Sequence, residues 1–234
     1  MKCQKCKKRI ATDIHHKDDN HKNNKPRNLQ KLCGICHSEL HGIEPRVSEL
    51  KRRVTYFSKA QKVRLAIENS LRGFSRIELI VPKELLKELD RVKKLEANFE
   101  KEIKNYIQKH PTKLSDWALS IKGISYVLVA KILGEIDWNK TKSSASLWKY
   151  AGYSVGDKKR KGIKANWNHR LKDYCYQIGD EFVKCRTPKY REVYDREKKK
   201  QLQKGLKKGH ADMRARRKAI KVFLRDLFLR RERE

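Results

Sequence analysis

Apolar residues recur at helical spacing through most of this 234-residue chain, but they are scarce over residues 1–43. Between 83 and 110, Leu85, Leu89, Val92, Leu95, Phe99, Ile103 and Tyr106 follow one another at steps of three and four, the period of a helix with one apolar face. Pro82 suits the opening of that helix, and His110-Pro111 suits its end. Such a seam can fold back on its own domain or pair with a second copy through residues 85–106, and both uses stay open. From Leu114 to Trp148 the chain is most apolar, and "LSIKGISYVLVAKILGEI" predicts two helices joined by a tight turn around Gly123. Further on, Ile220, Phe223, Leu224 and Leu227 predict a docked basic helix. Residues 44–82 are helix-compatible and basic, with Gly73 as an expected helix end, and read as a linking arm.

The apolar-poor stretch cannot bury enough surface to offset the entropy of ordering it unless something cross-links the chain. Four of the six cysteines lie there, as Cys3-x-x-Cys6 and Cys33-x-x-Cys36. Paired short bites of this kind suit tetrahedral thiolate coordination, so a structural Zn²⁺ is expected in place of a core. Cys175 and Cys185 stand far from the others in sequence and are expected to be buried thiols.

Charge narrows the choice of partner. Lys and Arg number 60 against 28 Asp and Glu, a formal net charge of +32. A compact body with that excess repels itself unless an anion neutralises it, and nucleic acid is the economical anion. The expected partner is DNA, with RNA left open. A membrane is not expected, because the mean hydropathy is −0.90 and no apolar run approaches the roughly 20 residues of a spanning helix. The sequence does not open on an apolar leader, and the expected location is cytoplasmic.

The N-terminal stretch also carries histidines. "DIHHKDDN" holds His15 and His16 side by side, and "RNLQKLCGICHSELHG" holds Asn28, His37 and His41. Neighbours on a strand point to opposite faces, whereas His37 and His41, four apart on a helix, share one face and can clamp one ion together with His15. In their order and spacing these residues resemble the HNH endonuclease family, a ββα-metal finger, over nearly all of residues 3–42. The resemblance implies that His15 ligates a catalytic ion, Mg²⁺, Mn²⁺ or Zn²⁺, and that His16 is the general base, a task suited to an imidazole. Asn28 matches the family's intervening Asn, which either orients the base loop or ligates the ion. Asp18 and Asp19 can offer oxygen ligands or simply balance the charge of a basic loop.

From about residue 114, "IKGISYVLVAKILGEI", "SSASLWKYAGYSVG" and "KKRKGIKANWNHRLKDY" resemble the C-terminal domain of bridge-RNA-guided insertion-sequence transposases. The counterparts are Gly123, Ser144-Ala145, Tyr150-Ala151-Gly152 and the helix start from Asn168 to Leu171. The turn at Gly123 further resembles a helix-hairpin-helix, whose backbone N–H groups approach a phosphate, although Ser125 replaces the usual second glycine. Relatives in that transposase family attack DNA with a serine that follows a proline. The proline is missing here, and Ser154 is the nearest hydroxyl. Lys158, Lys159, Arg160, Lys161 and Lys164 form a cationic loop flanked by Trp148, Tyr150, Tyr153 and Trp167, and with Gly123 and Arg170 they are the expected DNA contacts.

The expected fold is mainly α. A small ββα-metal (HNH) zinc module over 1–43 leads through an arm over 44–82 to a long amphipathic, coiled-coil-like helix over 83–110. A helical, transposase-like DNA-binding domain with a helix-hairpin-helix-like core follows over 111–234. The expected function is metal-dependent hydrolysis of DNA phosphodiesters by an HNH endonuclease. Its alternatives are a non-catalytic zinc-containing DNA-binding protein, or a recombinase that uses the C-terminal serine.

Overall fold

The computed structural model describes residues 1–42, 45–156, 161–163 and 165–231. It is mainly helical, with nine α-helices and one two-stranded sheet among the described residues. Strands β1 (Asp13–His16) and β2 (Leu29–Leu32) pair antiparallel, with His15 opposite Gln30 and Asp13 opposite Leu32. A single 3-10 turn over Pro26–Asn28 leads into β2, and helix α1 (Gly34–Leu40) follows it. The other helices are α2 (Pro45–Arg76), α3 (Lys83–Lys109), α4 (Lys113–Leu119), α5 (Tyr126–Glu135), α6 (Ser144–Tyr150), α7 (His169–Lys184), α8 (Pro188–Gln203) and α9 (Lys208–Arg231).

Residues 45–76 are not a linking arm. Leu50, Val54 and Phe57 of α2 belong to the main apolar core, and the helix runs through the exposed Gly73 to Arg76. A short connection makes α2 and α3 antiparallel neighbours. Tyr56 stacks on Phe99 at 5.9 Å, Arg53 lies over the Tyr106 ring at 4.3 Å, and Arg64 pairs with Glu96 at 2.5 Å. Part of the α3 seam is therefore covered within the chain. Leu89, Ile103 and Tyr106 are buried in the fold, whereas Leu95 faces solvent at 46% exposure.

α5 runs through the middle of the body, with Val129, Ala130 and Ile132 almost fully buried. Its Glu135, also buried, lies 3.2 Å from Lys51 and 3.5 Å from Arg170 and accepts from Asn168 Nδ2 at 3.0 Å. A buried carboxylate needs this degree of compensation, and the cluster ties α2, α5 and α7 together. Beyond α7 the chain forms two helices rather than one docked helix. α8 and α9 fold on each other across a turn at Gly205, with Lys198 3.2 Å and Arg216 2.7 Å from Asp212. Cys175 is fully buried as expected, but Cys185 is only partly so, with its thiol 3.4 Å from Glu181. Among the described residues no helix is long and apolar enough to cross a membrane.

Candidate metal centres in the N-terminal module

The module has almost no core of its own. Its buried apolar cluster consists of Leu32 and three cysteines, with Cys6 and Ile35 packed against it. Burying one leucine contributes about 2 kcal/mol, which is small beside the cost of ordering the module. The Sγ atoms of Cys3, Cys6, Cys33 and Cys36 lie within 4.8 Å of one another, so this cluster could bind a metal such as zinc. Burial alone would raise the Cys3 thiol, but backbone N–H groups of Cys6, Cys33 and Lys5 overcome it and lower its pKa to about 6. Burial and contact with Cys33, Cys6 and Cys3 push Cys36 up to about 12. Four crowded sulfurs cannot all ionise unless a cation compensates them.

A second group lies across the sheet. The imidazoles of His15 on β1, His37 on α1 and His41 just beyond it bring their ligand nitrogens within 4.8 Å of one another. His37 Nε2 is 3.2 Å from His41 Nε2, close to the roughly 3.3 Å that separates two nitrogens on one tetrahedral ion. The rings of His15 stand 5.5 Å from His37 and 5.1 Å from His41. His15 and His37 are half-buried and His41 is exposed, so the cluster is open to solvent. Three ligands and an open face fit a cation that also has to contact a substrate.

Asp13 is a member of this site that the histidine motif does not reveal. Its Oδ2 lies 3.5 Å from His37 Nδ1 and accepts from Arg52 of α2. A carboxylate behind the far nitrogen of a histidine directs the near nitrogen toward an ion. Burial lowers the His37 pKa, Asp13 opposes that, and His41 and His15 lower it further, favouring the neutral ring that coordination needs. The signal was present in the sequence, because residues two apart on a strand share a face and Asp13 precedes His15 by two. Asp13→Asn is expected to weaken metal binding at the three-histidine site by about 10- to 100-fold without changing binding at the cysteines, as read by titration calorimetry.

His16 stands outside the three-histidine cluster. Its Nε2 is 3.1 Å from Asn24 Oδ1, and its ring lies 5.2 Å from that of His21. An amide oxygen can only accept, so the hydrogen sits on Nε2 and Nδ1 keeps its lone pair. That Nδ1 is covered and has no hydrogen-bond partner. Asn28 braces the loop: Nδ2 donates to Asp18 Oδ1 and to the Asn23 carbonyl, both at 2.8 Å, while Oδ1 accepts from Asp18 N at 3.1 Å. Both amide hydrogens are thus used in holding the loop, and Oδ1 keeps a second lone pair. Asp18 is likewise committed, with hydrogen bonds from Asn23 and Asn20 holding its carboxyl below the usual range.

Of the expected DNA contacts, Lys158, Lys159, Arg160 and Lys164 lie outside the described residues, and Lys161 is exposed. Arg170 is 60% exposed, with its guanidinium beside Glu135. Gly123 has a packing reason to be glycine. At φ +90°, a Cβ there would meet Cys185 Cβ and Sγ at 2.9 Å, and Ser125 spends its hydroxyl capping α5. Ser154 offers its carbonyl to Arg217. Three of the flanking aromatics use their polar atoms on backbone carbonyls: Trp148 on Lys221, Tyr150 on Glu135 and Tyr153 on Lys172. No protein-family model matches the chain, and no curated protein matches it either.

Proposed function

We propose that the chain is a metal-dependent DNA endonuclease of the HNH type, with a zinc-stapled N-terminal module carried on a basic helical body. The observation that carries this reading is the convergence of His15, His37 and His41 from a strand and a helix onto one solvent-open point. A purely structural finger has no need of it, since the four cysteines already supply a closed ligand set. In this reading Zn²⁺ sits among Cys3, Cys6, Cys33 and Cys36 and holds the fold.

His15, His37 and His41 would hold Mg²⁺, Mn²⁺ or Zn²⁺, which when bound would supply positive charge to the phosphate and to the departing 3′ oxygen. Asp13 keeps His37 aimed, and Arg52 fixes Asp13 from α2. In this reading His16 is the general base: Asn24 confines the ring hydrogen to Nε2, and Nδ1 would take the proton from the attacking water once the cover over it is displaced. Asn28 keeps the loop between the strands in shape.

A second reading, a metal-binding module that docks on DNA without cutting it, is favoured by the cover over His16 Nδ1. Nicking of supercoiled plasmid separates the two. The proposal expects relaxed circles from the wild-type chain when Mg²⁺ or Mn²⁺ is added; inactivity with Mg²⁺, Mn²⁺ and Zn²⁺ alike, while DNA is still bound, selects the second reading.

A further inference from the structure

Some cations of α9 are ion-paired and others are not. Arg216 meets Asp212 at 2.7 Å and also contacts Asp180. Arg225, one turn beyond Lys221, shares Asp226 with Lys189 of α8, and Lys198 of α8 reaches Asp212. Arg214, Arg217, Lys218 and Lys221 make no ion pair among the described residues. Steps of three, one and three place these four on one face, across two turns and about 10 Å of helix. The helix is anchored from the other side, where Ala211, Ala215, Ala219 and Phe223 are buried.

The four cations line an open cavity of about 540 Å³ between α9, α8 and residues 155–156. Glu197 is the carboxylate at its wall, and it is turned to Gln201, accepting from that amide at 2.5 Å. Gln201 in turn accepts from Arg214 at 3.0 Å. Two of the row stand on aromatic rings, Lys221 over Trp148 at 4.1 Å and Arg217 over Tyr153 at 5.9 Å. Side chains held in this way lose less freedom when a ligand arrives. Burial lowers the Lys221 pKa and repulsion from Arg217 and Lys218 adds to that, a strain that an anion along the row would relieve.

We propose that this face of α9 docks the phosphate backbone of DNA, with Arg214, Arg217, Lys218 and Lys221 each contacting phosphate and none reading a base edge. The proposal rests on the nuclease reading only for its choice of DNA as the polyanion. A row of cations at helical spacing, without a carboxylate paired to any of them, matches a repeating line of single negative charges. Contacts of this type position a duplex without selecting its sequence.

The test is binding of a labelled duplex of mixed sequence, measured against salt without added Mg²⁺ or Mn²⁺. The variant replaces Arg214, Arg217, Lys218 and Lys221 with Gln together. A control replaces Lys87, Lys93, Lys94 and Lys101 on the exposed side of α3, removing the same charge elsewhere. The row variant is expected to lose at least about tenfold in affinity, with a salt dependence shallower by about 0.9 per lost contact. The single variant Lys218→Gln is expected to lower the slope by about one; it alters an exposed side chain and guards against misfolding of the fourfold variant. Unchanged affinity and slope, an equal loss in the α3 control, or displacement by polyglutamate as effective as by DNA would each overturn the proposal. The nuclease reading fails separately: wild type that binds through this row but never nicks keeps the docking surface and loses the hydrolysis. Wild type that nicks while the row variant binds as before does the reverse.

Discussion

Replacing Cys33 with serine is expected to unfold residues 1–42 and to leave the helices from α2 onward intact. The main apolar core is built from α2 onward by those helices and the turns between them, with Ile103, Leu147, Phe182 and Leu224 fully covered. The module contributes only Leu32 and its cysteines to a separate cluster. Among the described residues α1 lies against α2, and polar ties join the module to the body: Asp13 with Arg52, and Asn139 Nδ2 donating to the Gly42 carbonyl at 2.7 Å. Surface contacts of this kind contribute at most about 1 kcal/mol each, whereas a structural zinc site of this type contributes about 10–16 kcal/mol at neutral pH. Limited proteolysis should therefore cut the variant, or the chelator-treated wild type, within the module and stop at a resistant helical fragment. A module that stays protected after either treatment would mean that its fold does not depend on the cysteine site.

The second large effect concerns the histidines. His16→Ala is expected to lower plasmid nicking by about 10²- to 10⁴-fold while metal binding at the three-histidine site and DNA binding remain. His37→Ala is expected to abolish nicking by removing a ligand, and here metal binding falls with it. The difference between the two variants separates proton transfer from coordination. Nicking by His16→Ala at the wild-type rate would leave the ion centre in place and remove His16 from the chemistry.

Several parts of this arrangement were legible before any coordinates. Two Cys-x-x-Cys bites, a strand carrying His15 and a helix carrying His37 and His41 are local patterns, and local periodicity decides which side chains share a face. α3 was legible for the same reason. Its choice of partner was not, because an apolar seam specifies that something covers it and not what. The role of α2 was hidden by composition: Leu50, Val54 and Phe57 sit among so many lysines and arginines that the helix reads as solvated. The loop-bracing bonds of Asn28 show only with Asp18 and Asn23 in place. The cations of α9 are visible as a basic stretch, and the i,i+4 spacing of Asp212 and Arg216 is local, but the second partner of Arg216, Asp180 of α7, shows only in the fold. Gly123 shows the converse. A glycine in a turn between helices suggests a phosphate contact, and the fold gives it a neighbour, Cys185, far away in the chain.

The convergence of three imidazoles on one ion is tested most directly by counting metal. Zinc titrated into the metal-free chain and followed by calorimetry should saturate at two equivalents for the wild type. It should saturate at one for a variant with His15, His37 and His41 all replaced by alanine. One equivalent in both proteins, held by the cysteines alone, would contradict the account.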